Sequence, residues 1–397
     1  MAESNSNISL AIALQPVADT FVTPTQPGDL LLHSNCRLQI DGVTITNDEY
    51  TGSPIKNGDD VVGKRVTLSY TLKLRPPGGG SVPLANTFLL GRVLQACKLT
   101  EVRNAAAIPV APEALGVGST TTMAKLGATA AAVANTYKAF PLILSDNGAT
   151  YKKQLTAVRS YSATKEAGLV EQLTAPPAAN YQIPPFIGYF RSITPTNPSL
   201  ISHSLWWGGD RYDLMNGTIS SWQMQVPTST TNTPAYPELT VSWDVDLYVT
   251  AEEAAPAVPV GGTIPFYKDG DGILANKAIG MSTFSLDLGI QSESPPNPNK
   301  ASGEDAAQLT SSTARLSITK QKYRKSVFDG IAFADAQAQH AFYAAWGYGA
   351  AGTVVQIIVP DARFNYPNSD TGGPFANESQ DLMIDAFDRG VAIVFPY

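Results

Sequence analysis

Hydrophobic and polar residues alternate with a period of two in several stretches of the chain. The longest is ELTVSWDVDLYV (Glu238–Val249). Leu239, Val241, Trp243, Val245, Leu247 and Val249 fall on one face, and Thr240, Ser242, Asp244, Asp246 and Tyr248 on the other. That pattern predicts a strand with one buried and one polar face. VTLSYTLKL (Val66–Leu74) alternates in the same way. A Pro/Gly turn, RPPGGGSVP, then leads into ANTFLLGRVLQACK. There Leu90, Val93, Leu94 and Cys97 fall at i, i+3, i+4 and i+7, the apolar stripe of a short helix.

Part of this pattern occurs twice. At a shift of 248 residues, ARLSITKQ (Ala314–Gln321) lands on VTLSYTLK, with Leu316, Ser317 and Thr319 on Leu68, Ser69 and Thr71. Ala338, Ala341, Phe342 and Ala345 land on the helical stripe, which predicts a second helix over Asp335–Tyr348 with Asp335 as N-cap. Upstream, LQIDGVTIT (Leu38–Thr46) matches FSLDLGIQS (Phe284–Ser292) at a shift of 246. In both copies a long polar loop separates the two strands: Asn47–Gly63 and Ser292–Ser312. The order reads as a tandem duplication. A chance match of a common strand–loop–strand–helix order is the alternative.

The remaining pattern sets the expected organisation. Residues 1–28 read as an extended N-terminal arm and 29–250 as a first unit. An inserted β-rich region of about 100–203 lies inside that unit, and its Thr100–Asn135 part reads as irregular. AEEAAPAVPVGG opens a linker over 251–265, and 266–397 forms a second unit ending in the strands DLMIDAF and VAIVFPY. The fold class expected is mainly β: two tandem β-sandwich units, each flanked by a short helix.

Composition narrows the chemistry. A net charge of −7 gives no overall attraction to phosphate. Two cysteines, Cys36 and Cys97, cannot build a disulfide framework, and no apolar run reaches membrane-spanning length. The N-terminus lacks the basic start and apolar core of a signal peptide, so a soluble cytosolic product is expected. GDDVVGKR (Gly58–Arg65) matches part of a phosphate loop, but Arg65 stands where Ser or Thr should hold magnesium. DGDG (Asp269–Gly272) starts like a calcium loop and runs out of ligands at Ile273 and Gly280. His33, His203 and His340 are scattered, and no nucleophile elbow is present. No enzyme, cofactor or metal is expected.

Four segments carry a resemblance: QPVADTFVTPTQPGD; GKRVTLSYTLKL followed by LLGRVLQACKL; SLWWGGDRYDLMNGTISSWQ; and MSTFSLDLGIQSESPP. In this order they resemble the tail tube (major tail) proteins of long-tailed, non-contractile bacteriophages, in particular those with two tube units in one chain. The resemblance implies a structural virion protein, made in the host cytoplasm, whose rings stack into the tail tube. Its implied partners are itself, a tape-measure protein, tail-end proteins and DNA in transit, with no membrane insertion. With two units per chain, three chains would close a ring of pseudo-sixfold shape. The polar strand face Thr240, Ser242, Asp244 and Asp246 is then a candidate lumen lining. The matched loops, with Asp48, Glu49, Tyr50, Asp59, Asp60, Glu293, Glu304 and Asp305, are candidate contacts between rings. The large insertion and the PNSDTGGPFANES loop (Pro367–Ser379) depart from the plain pattern. The competing reading is a soluble β-sandwich glycan-binding protein or glycoside hydrolase, with Trp206, Trp207 and the acidic faces as its site.

Overall fold

The computed structural model describes residues 8–49, 58–193, 200–300, 303–370 and 376–397. The first half begins with strands β1 (Ile8–Gln15), β2 (Leu30–Leu31), β3 (Ser34–Ile45) and β4 (Asp60–Lys73), then helix α1 (Leu89–Ala96) and β5 (Leu99–Asn104). An insertion carries β6 (Ile108–Ala114), β7 (Met123–Lys125), β8 (Pro141–Leu144), helix α2 (Tyr151–Gln154), β9 (Leu155–Tyr161), β10 (Glu166–Leu169) and β11 (Asn180–Ile183). β12 (Phe186–Arg191), β13 (Leu200–Trp207), β14 (Asp210–Pro227) and β15 (Glu238–Glu252) complete the half. The second half holds β16 (Asp271–Leu274), β17 (Lys277–Ala278), β18 (Met281–Asp287), β19 (Ile290–Glu293), β20 (Gln308–Ser312) and β21 (Arg315–Gln321). Helix α3 (Gly330–Ala336), β22 (Gln339–Trp346), β23 (Val355–Phe364), β24 (Asn368–Asp370), β25 (Asn377–Ile384) and β26 (Ala392–Pro396) follow.

The protein is mainly β, and its strands lie in three layers. The inner sheet has the order β3-β4-β15-β14-β18-β21-β25-β24, every neighbouring pair antiparallel, and β25 also pairs with the end of β23. The middle sheet has the order β5-β12-β26-β23-β22-β16. Both sheets therefore run through both halves of the chain. Alternation dictates what lies between them: Leu68, Tyr70, Trp243, Trp222, Met224, Phe284, Leu286 and Leu316 from the inner sheet meet Tyr189, Phe342, Trp346, Ile357 and Phe395 from the middle one. Each such side chain contributes about 1.5–3 kcal/mol by leaving water. α1 packs the predicted stripe into this core, with Leu90, Val93, Leu94 and Cys97 buried. Its Gly91 is required by close approach, since a Cβ there would lie 1.8 Å from the Tyr189 hydroxyl.

The two hairpins matched in sequence have equivalent register at a single offset of 248, which corrects the 246-residue shift expected for their first strands: Leu38 is equivalent to Leu286, not to Phe284. Leu38 pairs with Leu68 in β3–β4, and Leu286 pairs with Leu316 in β18–β21, 248 residues later on both strands. A helix follows each hairpin.

Three further expectations are corrected. The helix expected over Asp335–Tyr348 is α3, which spans Gly330–Ala336 and is capped by Asp329, whose carboxylate accepts from the Ile331 and Ala332 amides. Gln337 ends it in the left-handed region, and Ala341, Phe342 and Ala345 lie on β22. β22 lies between β23 and β16 in the middle sheet and is buried on both faces, so its apolar run carries no period-two signature. The expected N-terminal arm contains β1, which is paired between β13 and β2. Both faces of β1 are covered, Leu10 and Ile12 by the main core and Ala11 by Trp206 and Leu30. Finally, Thr100–Asn135 is not an irregular excursion: it contains most of β5 and all of β6 and β7.

The insertion forms the outer layer, a six-stranded sheet of order β6-β11-β8-β9-β10-β7. Its Leu142, Val158, Tyr161 and Leu169 share a second core with Phe186, Phe190, Tyr343, Ile358 and Val394 on the far face of the middle sheet. Polar clamps fix the docking. The Arg159 guanidinium donates to the Gln339 carbonyl at 2.6 Å, and Lys138 pairs with Asp361 at 2.9 Å. Asn104 and Phe186 are direct partners across β5–β12, so a two-residue turn can replace residues 105–185. Such a deletion is expected to keep the strands paired but expose the apolar far face, and hence to aggregate. A soluble, monodisperse deletion protein by light scattering would contradict this covering role.

One ion pair lies inside the main core. Lys320 on β21 is 1% exposed, pairs with Glu378 on β25, and sits 4.7 Å over the Phe328 ring. Lys320→Met leaves a buried carboxylate without its cation and should cost about 3–5 kcal/mol in denaturant unfolding. The double variant Lys320→Met/Glu378→Leu should recover most of that loss.

Candidate assembly surfaces

The outward face of the inner sheet is polar because alternate residues of every strand point away from the core. Its side chains form rows across the sheet. One row runs Thr71, Thr240, Gln223, Asp287, Arg315, and the next Lys73, Glu238, Gln225, Ser285, Ser317, Asp381. Thr240 is exposed, and Ser242, Asp244 and Asp246 are half-buried, all on this side of β15. Carboxylates accompany two cations of this face. Arg65 lies 3.5 Å from Asp244, and Arg315 pairs with Asp381. Burial pushes the Asp381 carboxyl up, but hydrogen bonds from Ser317 and Arg315 outweigh it and hold the group below its ordinary value. Asp246 is tied from the side by Asn216 Nδ2 at 2.8 Å. The sequence pattern identified the β15 members of this face. It did not reveal Gln223, Gln225, Asp287, Arg315 or Asp381, because strand neighbours are fixed only by pairing.

The two matched hairpins differ in environment. Beyond Val66, β3 and β4 leave the core and continue as a two-stranded ribbon exposed on both faces. Ile40, Val43, Ile45, Val61 and Val62 on this ribbon are 46–72% exposed. Asp48, Glu49, Asp59 and Asp60 are exposed at its end, and Tyr50 lies outside the described residues. The segment resembling a phosphate loop, Gly58–Arg65, is the outgoing strand of this ribbon, with no helix after it to receive a phosphate.

In the second half the connection between β18 and β21 forms a separate hairpin, β19–β20, which folds back onto β14. Ser292 donates to the Ile219 carbonyl at 3.0 Å, and Thr218 to that of Ala307 at 3.4 Å. Its loop is closed by Lys300, which bridges Asp305 at 3.1 Å and Asp19 from the N-terminal segment. Glu293 and Glu304 are exposed on it. Thus the acidic residues expected to act alike sit on one free ribbon and one tethered hairpin.

Other candidate chemistry is distributed as follows. Trp206 is buried, and its indole donates to Glu253 at 3.2 Å, so it offers no open platform for a sugar. Trp207 is partly buried beside the Gly208–Gly209 turn, whose two positive φ angles join β13 to β14. His203 is fully buried against Tyr70 and Trp243, and burial lowers its pKa to about 3. Asp269 of the DGDG turn pairs with Lys152. No group of three metal-ligating side chains occurs among the described residues.

The tether of the second hairpin has a defined pH range. A hydrogen bond from Lys300, then one from Asn216, holds the Asp19 carboxyl below its ordinary 3.8. Asn297 first, then Lys300, does the same for Asp305. Depressed carboxyl values mean that the tether is fully present above about pH 4 and is lost as the pH falls through the lower folded values. The protection factors of the Asn297 and Asp305 amides, taken relative to the intrinsic exchange rate at the same pH, should therefore fall at low pH, and in Lys300→Ala at neutral pH. Unchanged protection in both would remove the tether. A scan against protein-family models finds no match to this chain, and neither does a search of curated proteins.

Proposed function

We propose that this chain is a ring-forming tube protein of a phage tail, a structural component with two tube units and no catalytic site. One observation carries the reading. In the spatial order of the inner sheet, β14 is the first-half strand at the junction, and it pairs antiparallel with β18 of the second half over Gln223–Pro227 and Thr283–Asp287. If the halves are duplicated units, β18 corresponds to β3 and β14 to β24. The junction within the chain is then a pattern for the junction between chains, with β24 of one copy beside β3 of the next. Those strands stand at the two ends of the inner sheet, and sheet edges recruit further strands. A contact between different edges of identical copies closes into a ring when its rotation allows.

The polar face of the inner sheet would then line the lumen. Two of its cations, Arg65 and Arg315, are paired with carboxylates, which supports passage of DNA with little retention, since unpaired Lys and Arg bind phosphate strongly. The insertion lies on the opposite side of the middle sheet and would decorate the outer wall. Electron microscopy of purified protein tests the proposal. Tubes or rings with three chains and pseudo-sixfold shape are expected. Rings of six chains would reduce the second half to decoration, and a featureless monomer that binds glycans would overturn the reading.

A further inference from the structure

β4 and β21 run in the same direction through the inner sheet, since three antiparallel steps through β15, β14 and β18 precede a fourth to β21. Their starts share one end of the molecule and their ends the other. The β3–β4 ribbon projects from the first end. It combines an acidic end, Asp59 and Asp60 among the described residues, with Val61 at 72% and Val62 at 63% exposure. A ribbon with apolar side chains in water is a surface awaiting a partner.

At the opposite end, just past the last residue of β4, a cleft of about 830 Å³ opens between Leu31–His33, the Arg75–Gly78 turn and linker residues 259–264. Leu32, Pro76, Val260 and Ile264 give it apolar walls, and Val260 is fully exposed. Lys73 and Arg75 also line it. Lys73 is held 4.0 Å over the Tyr236 ring, and the buried Arg75 Nε has no hydrogen-bond partner among the described residues. The guanidinium lies against Gly261, where a Cβ would come within 1.9 Å of Nη1. The linker's glycine therefore admits the arginine to the cleft.

We propose that this cleft seats the free β3–β4 ribbon of a second copy of the chain, arranged head to tail. Val61 and Val62 enter between the apolar walls, and Asp59 and Asp60 meet Lys73 and Arg75. Donor and acceptor surfaces lie at opposite ends of one sheet, so the contact is heterologous and repeats along an axis instead of closing on itself. The inference rests on the ring-and-tube reading for the stack in which copies meet. Lys322, Arg324 and Lys325, after β21, present further exposed cations at the receiving end. The cleft is the better seat because it joins cations to the apolar walls that the valines require.

A charge-swap experiment tests the seat. Asp59→Lys/Asp60→Lys makes both surfaces positive, and Lys73→Glu/Arg75→Glu makes both negative. Each variant alone should still form rings by electron microscopy, while the concentration needed for stacking rises by about tenfold or more. An equimolar mixture should stack again, because the two variants can alternate. Raising the salt to about 1 M, where screening acts within about 3 Å, should weaken wild-type stacking in the same sense. If Lys73→Glu/Arg75→Glu does not fold, the single variant Lys73→Glu replaces it in the mixture. Wild-type stacking by either variant alone, or no recovery in the mixture, overturns the seat and leaves the tube reading intact. So does loss of stacking only in Lys322→Glu/Arg324→Glu/Lys325→Glu. A wild-type chain that forms neither rings nor tubes overturns the tube reading, and the seat with it.

Discussion

The pairing between β14 and β18 is the constraint on which the rest of the molecule depends. β14 gives one edge to β15 along its length and divides the other between two partners, β13 over its first part and β18 over its last. The division is made at a bulge around Asn216 and Gly217, where Asn216 takes a positive φ. Gln15 and Asp19 hold that bulge through the Asn216 backbone amide and side chain, at 2.8 and 2.9 Å. Without the switch, β14 would continue along β13 and the second half would lose its place in the inner sheet. Bulges commonly redirect a strand in this way.

Everything else follows from making the inner sheet continuous. A continuous sheet presents one uninterrupted apolar face, and the middle sheet covers it with strands from both halves. The middle sheet then has an apolar far face of its own, which the insertion covers. Each layer exists because the one beneath it leaves hydrophobic area that water would penalise. The polar face of the inner sheet, the outward face of the insertion and the ends of the molecule are what these layers leave exposed.

Those ends differ in electrostatics and in their contacts. The ribbon is free and acidic, the β19–β20 hairpin is tethered by Lys300, and the cleft end carries Lys73 and Arg75. Had both hairpins been free, each chain would offer two equivalent donors. On the proposed head-to-tail contact the tether leaves one, so the local polar contacts of Lys300 would then bear on how copies meet. An acidic chain can still associate with itself when its charge is distributed unevenly between its ends.

The sequence by itself determined the strands of the inner sheet, because one buried and one solvated face imprint a period of two on Val66–Leu74, Glu238–Val249 and Arg315–Gln321. It also determined α1, whose stripe needs no partner to be visible. It could not place β22, because a strand covered on both faces loses that period, and its apolar residues were therefore read as a helix. In β1, Ile8, Leu10, Ile12 and Leu14 do alternate, but the pattern does not show that β13 and β2 pair with it. Nor could it show that β14 changes partner at Asn216, that one acidic hairpin is tethered and the other free, or that Lys73, Arg75 and residues 259–264 share a cleft. Those are contacts between residues distant in the chain. Local alternation records which way a side chain points, and only tertiary structure decides what it meets there.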